Sequence, residues 1–317
     1  MDRLNGSKRD PRCVKLALSV AAGLVVTLAA ASCATETGGP EETGQSAQPE
    51  HVVEHARGVT EVPTAPERVV VLEPVQLDTA VALGVIPVGS TTFAGATGAP
   101  AYLGADAAAI ESVGPVAEPN IEEIAALQPD LILGTETRHG DLYDQLSAIA
   151  ATAFMASQSD PWQQSVQFVS TALNKPEEAQ RLLAAYQERC EEIADTYGTV
   201  GKTAQLIRPR DGILTLYGPS SFAGSTLECA GFTTPPRAWN GEISVDISTE
   251  LVGEAQADLV VVTSADPGNP ATMPDAVANS RDLFPRLQLV DQSYWIAGVG
   301  PLGGMAVLDD IEAILQQ

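Results

Sequence analysis

From residue 68 onward, short aliphatic runs alternate with segments whose apolar residues recur at helical spacing. The run RVVVL at 68–72 predicts a buried strand, VQLDTAVALG predicts a helix that ends at Gly84, and VIPVGS at 85–90 predicts the next strand. Strands that alternate with helices in this order are typical of a parallel sheet with helices packed on it. The predicted fold class is therefore α/β.

One module of helix and strand occurs twice. NIEEIAALQPDLIL begins at Asn120 and STELVGEAQADLVV begins at Ser248, and each predicts a capped helix followed by a buried strand. Glu123, three residues after Asn120, would complete a capping box in the first copy. The repetition predicts two α/β lobes with the module at an equivalent place in each. Four positions are identical in the two copies: Glu122 and Glu250, Gln128 and Gln256, Asp130 and Asp258, Leu131 and Leu259.

The segment between the two copies predicts the connection between the lobes. Asp160 and Pro161 suit the N-cap and the first position of a helix over 160–175, and KPEEAQRLLAAYQERCEEIADTY predicts a longer helix after it. A helix at 140–150 and a strand AFMAS precede this connection, and a strand SYWIA and the helix MAVLDDIEAIL follow the second copy. The predicted fold is two Rossmann-like lobes, at 59–159 and 176–317, joined by a single long helix at 160–175, with a ligand cleft between the lobes.

The N-terminal residues carry the pattern of an export signal. Five basic residues precede an uncharged run from Leu16 to Ser32 that is rich in Ala, Leu and Val. Small residues in LAAASC then lead into Cys33, a pattern that resembles a bacterial lipobox. We predict a lipoprotein signal peptide at 1–32, lipidation at Cys33 and a flexible tether at 33–58; the alternatives are a plain signal peptide and a membrane-spanning anchor.

Charge and composition argue against several partners and chemistries. The formal net charge of −24 argues against nucleic acid, since phosphate binding requires clustered Lys and Arg. Three histidines are too few for a protein-built zinc or manganese site, and they give poor support to a catalytic triad around GPSSFAG. A metal would therefore arrive inside an organic chelator. Cys190 and Cys229 permit either one disulfide or two buried thiols.

A glycine-rich motif invites a nucleotide-binding interpretation. GVGPLGG, from Gly298 to Gly304, matches G-x-G-x-x-G between a predicted strand and a predicted helix. The residues that follow it supply no second strand with an acidic residue for a ribose. We interpret the motif as a turn in which glycine permits close packing.

Basic and aromatic residues predict where a ligand binds. Arginines are scarce in this acidic sequence, yet several follow predicted strands, which is where open α/β sheets bind their ligands. Nearby aromatic residues would supply walls for an anionic or polar planar ligand. The candidate ligand-binding residues are Arg138, Arg208, Arg210, Tyr217, Phe222, Trp162, Trp239 and Tyr102, with Tyr294 and Trp295 as further candidate walls.

Four segments between about residue 60 and the end carry a resemblance to a known family. They are RVVVLEPVQLDTAVALGVIPVG, VGPVAEPNIEEIAALQPDLILGTETRHGDLYDQLSAIA, LYGPSSFAGSTLECAGFTTP and VLDDIEAIL. These segments resemble the iron–siderophore substrate-binding lipoproteins of ABC importers. Within them, RHGDLYDQLSAIA and LYGPSSFAG are most similar to hydroxamate-type binders.

The resemblance implies roles for several cleft residues. Arg138 and Arg208 correspond best to the basic cleft residues of the family, and Tyr217 and Phe222 fall in a segment that lines the cleft in relatives. Trp295 departs from the family pattern, because it lies within the predicted last strand instead of between that strand and the glycines.

The resemblance also implies partners. Glu122 and Glu250 correspond to the glutamates, one on each lobe, that dock onto arginines of a permease dimer. The expected protein is a monomer, anchored to the outer face of the plasma membrane through lipid on Cys33. No cofactor is expected, and ferric iron would be bound only as part of the siderophore.

Two alternatives remain at this point. A haem or cobalamin carrier of the same fold is one, since His139 and Tyr217 are possible haem ligands. An exported siderophore esterase is the other, against which the missing triad argues.

Overall fold

The computed structural model describes residues 49–93, 96 and 98–317. The predicted signal peptide at 1–32, the lipidation site at Cys33 and the first part of the tether lie outside the described residues. Within the described part of the chain, no helix is long and apolar enough to cross a membrane.

A β-hairpin occupies the end of the predicted tether. β1 (Glu50–His55) and β2 (Gly58–Pro63) pair antiparallel, so the tether prediction is wrong from residue 50 onward. The hairpin packs on the first sheet, where the N–H of Ala56 donates to the carbonyl of Phe154 at 2.9 Å. An isolated hairpin is only marginally stable in water, so this contact with the sheet explains a strand pair that local sequence did not predict.

The first lobe confirms the α/β prediction. Its strands form one parallel sheet in which the central strand lies between two neighbours on each side. The second strand was predicted at 85–90 but begins at Gly89, because the chain needs the residues after Gly84 to return from the helix to the sheet. In spatial order the strands are β5 (Glu111–Pro115), β4 (Gly89–Thr92), β3 (Val69–Val71), β6 (Leu131–Thr135) and β7 (Ala151–Met155).

The helices of this lobe are short. The single helix predicted at 140–150 is in fact a 3-10 turn followed by one short α-helix. The α-helices are α1 (Pro74–Ala82), α2 (Ile121–Ala126), α3 (Glu136–His139) and α4 (Tyr143–Ser147), and 3-10 turns occur at Ala101–Leu103, Ala105–Ala109 and Gly140–Leu142.

The chain passes to the second lobe through two consecutive helices. α5 (Trp162–Ala172) is followed by the 22-residue α6 (Pro176–Tyr197), and the break between them includes Asn174 at φ 55°. Asp160 does not cap α5, which begins after Pro161, because the Asp160 carboxylate accepts the N–H of Ser157 instead. The helix predicted at 160–175 is thus two residues later at its start and three residues shorter at its end.

The second lobe contains a mixed sheet. Two of its neighbouring strand pairs are antiparallel and two are parallel. In spatial order the strands are β10 (Ser244–Ser248), β9 (Ile213–Tyr217), β8 (Ala204–Arg210), β11 (Leu259–Ser264) and β12 (Leu287–Asp291). The α-helices are α7 (Phe222–Cys229), α8 (Asp275–Ala278), α9 (Gln292–Trp295) and α10 (Pro301–Leu315), and 3-10 helices occur at Thr249–Ala255, Pro270–Thr272 and Arg281–Leu283.

The prediction of a strand at SYWIA is wrong, because these residues lie in α9 and in the loop after it. Asp291 caps that helix by accepting the N–H of Ser293 at 2.8 Å. The Tyr294 hydroxyl and the indole N–H of Trp295 then both donate to the Asp310 carboxylate on α10, at 2.7 and 2.8 Å. These side-chain contacts, and not local strand propensity, decide the conformation of the segment.

The repeated module differs between the lobes in its helix. Asn120 caps α2 by accepting the N–H groups of Glu122 and Glu123, at 3.0 and 3.1 Å, which confirms that N-cap. Among the described hydrogen bonds, the Glu123 side chain makes none back to Asn120, so the capping box is not formed. The second copy is a 3-10 helix, and its N-cap residue, Ser248, makes no side-chain capping bond. The prediction of a second capped α-helix is therefore wrong.

The identical aspartates of the module have a structural role. Asp130 accepts the N–H groups of Glu67 and Arg68 at 2.7 and 3.0 Å, just before β3. Asp258 accepts the N–H and the hydroxyl of Thr203 at 2.7 and 2.9 Å, just before β8. In each lobe the module's carboxylate therefore fixes the start of the neighbouring strand.

A layer of helices connects the two sheets. α1 packs against α5 and α10, and α6 packs against α5 and α10. The core that results is continuous from Val71 and Leu133 in the first lobe, through Trp162 and Tyr186, to Leu206 in the second. One disulfide, Cys190–Cys229, with 5.3 Å between the Cα atoms, joins α6 to the end of α7 and settles the alternative of two free thiols.

Candidate functional site

A cleft lies between the two sheets and is formed by two adjoining cavities. Their volumes are about 470 Å³ and about 490 Å³. Most of the lining follows carboxyl ends of strands, as expected for a ligand site in an α/β fold. The two cavities share Pro74 and Phe93 from the first lobe and Arg208 and Ile296 from the second, so they form one site.

Arg138 lies at the first-lobe side of the second cavity. α3 begins directly after β6, and this places the guanidinium beside the carboxylate of Glu73, with Nη1 3.3 Å from Oε2. Glu73 is only 2% exposed. Burial raises the pKa of Glu73 to about 7, although the positive charge of Arg138 acts in the opposite direction. Glu73 was not predicted from the sequence, where its only distinguishing feature is a charge between a buried strand and Pro74.

Arg208 lies at the centre of the site. It is on β8, the strand that opens the second lobe, and it borders both cavities. Its Nη1 donates to the Tyr217 hydroxyl at 3.4 Å. Among the described residues no carboxylate forms an ion pair with Arg208, whereas Arg138 is paired with Glu73. Arg208 is therefore the cleft cation whose charge no described carboxylate compensates.

An aromatic wall borders the second cavity. Phe222 opens α7, where Ser221 caps the helix by accepting the N–H of Gly224 at 3.0 Å. The Phe222 ring meets the Trp162 ring edge-on, with centroids 5.6 Å apart. Trp162 is 4% exposed, so mainly its edge reaches the cavity. Trp295, also buried, lines the same cavity.

Tyr102 lines the first cavity, but its hydroxyl is already engaged. It donates to Oδ2 of Asp78 at 3.0 Å. Asp78, fully buried on α1, also accepts the N–H groups of Leu302 and Gly303 at 2.9 and 2.8 Å. Burial raises the pKa of Asp78 to about 7, against the effect of these three donors.

The Asp78 contacts explain the glycine-rich motif. The motif turns into α10, and the carboxylate of the first lobe occupies the helix N-terminus that a phosphate would occupy in a nucleotide-binding protein. A Cβ atom at Gly300 would lie 2.3 Å from the Asp78 carboxylate, so glycine is required there. The close packing predicted at the motif is thus confirmed, and its partner is the Asp78 carboxylate, which local sequence does not indicate.

Two predicted residues lie outside the cleft. Neither Arg210 nor Trp239 is among the described residues that line the cavities. Arg210 is exposed at the β8–β9 turn and forms an ion pair with Asp246 at 3.0 Å. Trp239 packs over Gly218, and the Arg237 guanidinium lies 5.4 Å from the centre of its ring. The sequence indicates residue type but not the direction in which a strand or loop presents it.

His139 is not placed to bind a ligand. The ring is fully buried, Nδ1 accepts the N–H of Thr135 at 3.1 Å, and Nε2 lies 2.9 Å from the carbonyl of Val116. Burial lowers its pKa, which keeps the imidazole neutral. Both ring nitrogens have partners within the fold, so His139 is not available as a haem ligand.

The two glutamates of the repeated module are exposed and lie at equivalent edges. Glu122 follows the carboxyl end of β5, and Glu250 follows the carboxyl end of β10. Since β10 runs parallel to β8, each glutamate lies at the same edge of its sheet as the cleft lining.

Known proteins share this architecture and sequence. Residues 69–287 match the family model described as periplasmic binding protein. The probable siderophore-binding lipoprotein YfiY of Bacillus subtilis is 34% identical over 187 residues. The matched region spans 58% of that relative's length and 58% of this chain. The putative ABC transporter substrate-binding lipoprotein YhfQ of the same bacterium is 29% identical over 226 residues, covering 69% of this chain and 68% of YhfQ.

A solved structure extends the similarity to both lobes. Staphylococcus aureus SirA complexed with staphyloferrin B superposes with a TM-score of 0.72 at 26% identity, covering 84% of this chain and 98% of SirA. Because the family model spans both sheets and more than half of the sequence, the chain belongs to the periplasmic binding protein family.

Proposed function

We propose that this chain is the extracytoplasmic binding component of an ABC importer, which captures a ferric siderophore in the cleft and delivers it to a permease dimer. The observation that carries the proposal is Arg208, whose guanidinium borders both cavities beside Tyr217. A planar cation with several N–H donors suits the anionic oxygens that chelate ferric iron. The family is one of substrate-binding proteins and not of enzymes.

The size and composition of the cleft support the same ligand class. Cavities of about 470 and about 490 Å³ together match the ~300–1,000 Å³ typical of small-molecule sites. Among the described residues, no group of three His, Cys, Asp or Glu side chains could hold a metal ion. The hydroxamate class is part of the proposal, on the strength of RHGDLYDQLSAIA and LYGPSSFAG.

Fluorescence titration tests the proposal directly. Trp162 and Trp295 both line the second cavity, so a bound iron complex should quench intrinsic fluorescence. The purified protein would be titrated with a panel of ferric siderophores, with haem and cobalamin as controls. Submicromolar quenching by at least one ferric siderophore is expected. Submicromolar binding of haem or cobalamin alone would reject the siderophore assignment in favour of the alternative carriers.

Membrane attachment through Cys33 is also part of the proposal. LAAASC supports it, and the two Bacillus subtilis relatives carry the word lipoprotein in their names. Cys33→Ala should move the protein from the membrane fraction to the soluble exported fraction. Retention of the variant in the membrane fraction would contradict lipidation at this residue.

A further inference from the structure

The charged side chains of the cleft include more carboxylates than arginines, which is unexpected for a site that binds iron chelates. Two arginines, Arg138 and Arg208, line the two cavities. Three carboxylates line them as well: Glu73, Asp160 and Asp291. The described lining therefore has no excess of positive charge when all five groups are ionised.

Glu73 differs from the other two carboxylates because it is paired inside the protein. Its Oε2 lies 3.3 Å from the Arg138 guanidinium, and its side chain is 3% exposed while that of Arg138 is 34% exposed. Asp160 and Asp291 accept N–H groups of their own loops and turns. Glu73 therefore compensates the charge of the one cleft arginine that it contacts.

Hydrogen bonds from neighbouring residues fix the backbone at Glu73, so the fold itself positions the Glu73–Arg138 pair. The N–H groups of Leu72 and Glu73 both donate to the side-chain oxygen of Gln76, each at 3.1 Å. The Gln76 amide in turn donates to the carbonyl of Gly134 on the neighbouring strand at 2.8 Å. Oε1 of Glu73 is buried and has no hydrogen-bond partner among the described residues, so Arg138 is the side chain that compensates the carboxylate.

The charge of a ferric siderophore follows from its chelating groups. Three hydroxamates, each with one negative charge, neutralise ferric iron, whereas three catecholates leave the complex with three negative charges. A trianion brought next to buried or partly buried carboxylates meets repulsion that solvent screens only in part.

We propose that Glu73 is a specificity-determining residue. By pairing with Arg138 it leaves Arg208 as the unpaired cation of the described cleft, so the site takes ferric complexes without net negative charge and discriminates against polyanionic ones. Glu73 acts through Arg138 as a positioning residue, because its own oxygens are covered by protein. The inference rests on the proposed function and adds the charge class of the ligand to it.

The test compares two probes at pH 8, where Glu73 is ionised. Ferrichrome is a neutral ferric trihydroxamate, and ferric enterobactin is a trianionic ferric tris-catecholate. The wild-type protein should bind ferrichrome at least tenfold more tightly, measured by tryptophan quenching. Glu73→Gln removes one negative charge with little change in shape and should lower this preference at least fivefold by improving binding of the trianion. Glu123→Gln, an exposed carboxylate on α2 outside the cleft, is the matched control and should leave the preference unchanged.

A measurement on the unaltered protein keeps the test independent of the variant's folding. Raising the ionic strength should strengthen binding of the trianion and leave binding of the neutral complex nearly constant. Equal or tighter binding of ferric enterobactin by the wild type would overturn the inference while leaving the proposed function intact. Equal shifts for Glu73→Gln and Glu123→Gln would also overturn it. Binding of neither complex would also overturn the inference, whereas the proposed function is rejected only if no ferric siderophore of the wider panel binds.

Discussion

At the scale of residues, three arginines that look alike in the sequence differ through their partners. Arg208 borders both cavities and contacts Tyr217, Arg138 is compensated by Glu73, and Arg210 is paired with Asp246 away from the cleft. A guanidinium attracts an anionic ligand most strongly when no protein carboxylate already compensates its charge. Arg208 should therefore contribute more to ligand binding than the other two.

Substitution of Arg208 tests this ranking. Arg208→Ala should weaken binding of the ferric siderophore identified by quenching at least tenfold, or about 1.4 kcal/mol, because donors to the chelating oxygens are lost. Arg210→Ala, the matched control, should change the affinity by less than about twofold. Similar losses for both variants would contradict the central position assigned to Arg208.

At the scale of elements, the contact between α1 and α10 connects the lobes. The Asp78 carboxylate satisfies two N–H groups at the start of α10, which have no partner within that helix. Gly300 permits the approach, and Tyr102 adds a third donor. Because the four helices of the interlobe layer share one core, this contact fixes how the C-terminal helix lies against the first lobe.

Removal of the Asp78 carboxylate should be costly for stability. Asp78→Ala leaves two N–H groups at the start of α10 without an acceptor and opens a cavity, so the free energy of unfolding should fall by about 3 kcal/mol. Chemical denaturation at pH 7 measures this. Asp106→Ala, which removes an exposed carboxylate in a neighbouring 3-10 turn, should change the free energy by less than about 0.5 kcal/mol. Equal effects would show that Asp78 does not connect the helices.

At the scale of the whole molecule, the two buried carboxylates make stability depend on pH. Burial raises the pKa values of Glu73 and Asp78 to about 7, above their ordinary values of 4.5 and 3.8. The folded protein then holds protons that the unfolded chain releases, so their contribution is complete below the unfolded pKa and is lost as pH rises through about 7. Carboxylates with lowered pKa values, such as Asp258, titrate below this range.

The unfolding free energy should therefore be higher at pH 5 than at pH 8. Denaturation midpoints at the two pH values measure the difference, which is on the order of 2–3 kcal/mol for each group. Glu73→Gln should remove about half of it, and the exposed control Glu123→Gln should not. A midpoint that rises from pH 5 to pH 8 would contradict the sign.

The proposed docking to a permease depends on the whole molecule, because it requires one glutamate from each lobe. Glu122 and Glu250 are exposed at equivalent sheet edges, and this supports the proposal that each contacts one half of a permease dimer. Glu122→Ala combined with Glu250→Ala should abolish iron uptake by cells and leave the affinity for the ligand unchanged. The control pair Glu177→Ala and Glu188→Ala, exposed on α6, should leave uptake intact. Lost affinity in the first pair would assign these residues to ligand binding instead.

Part of the candidate site was predictable from residue type and position along the chain. Arg138, Arg208, Tyr217 and Phe222 were predicted in the cleft, and the structure brings them together there. Glu73 was not predicted, since its significance comes from burial beside Arg138, a contact between segments far apart in sequence. These assignments as ligand-binding residues stay predictions until the variants are measured.

Local sequence determined the alternation of strands and helices, the presence of two lobes and the cap at Asn120, because hydrophobic spacing and capping act over a few residues. Tertiary structure alone decided the hairpin at residue 50, the helix at Trp295, the Cys190–Cys229 disulfide and the partner of the glycine-rich motif. Each of these depends on contacts between distant segments that outweigh or supplement the local preference. The charge balance of the cleft is of the same kind, since it is set by which side chains the fold buries together.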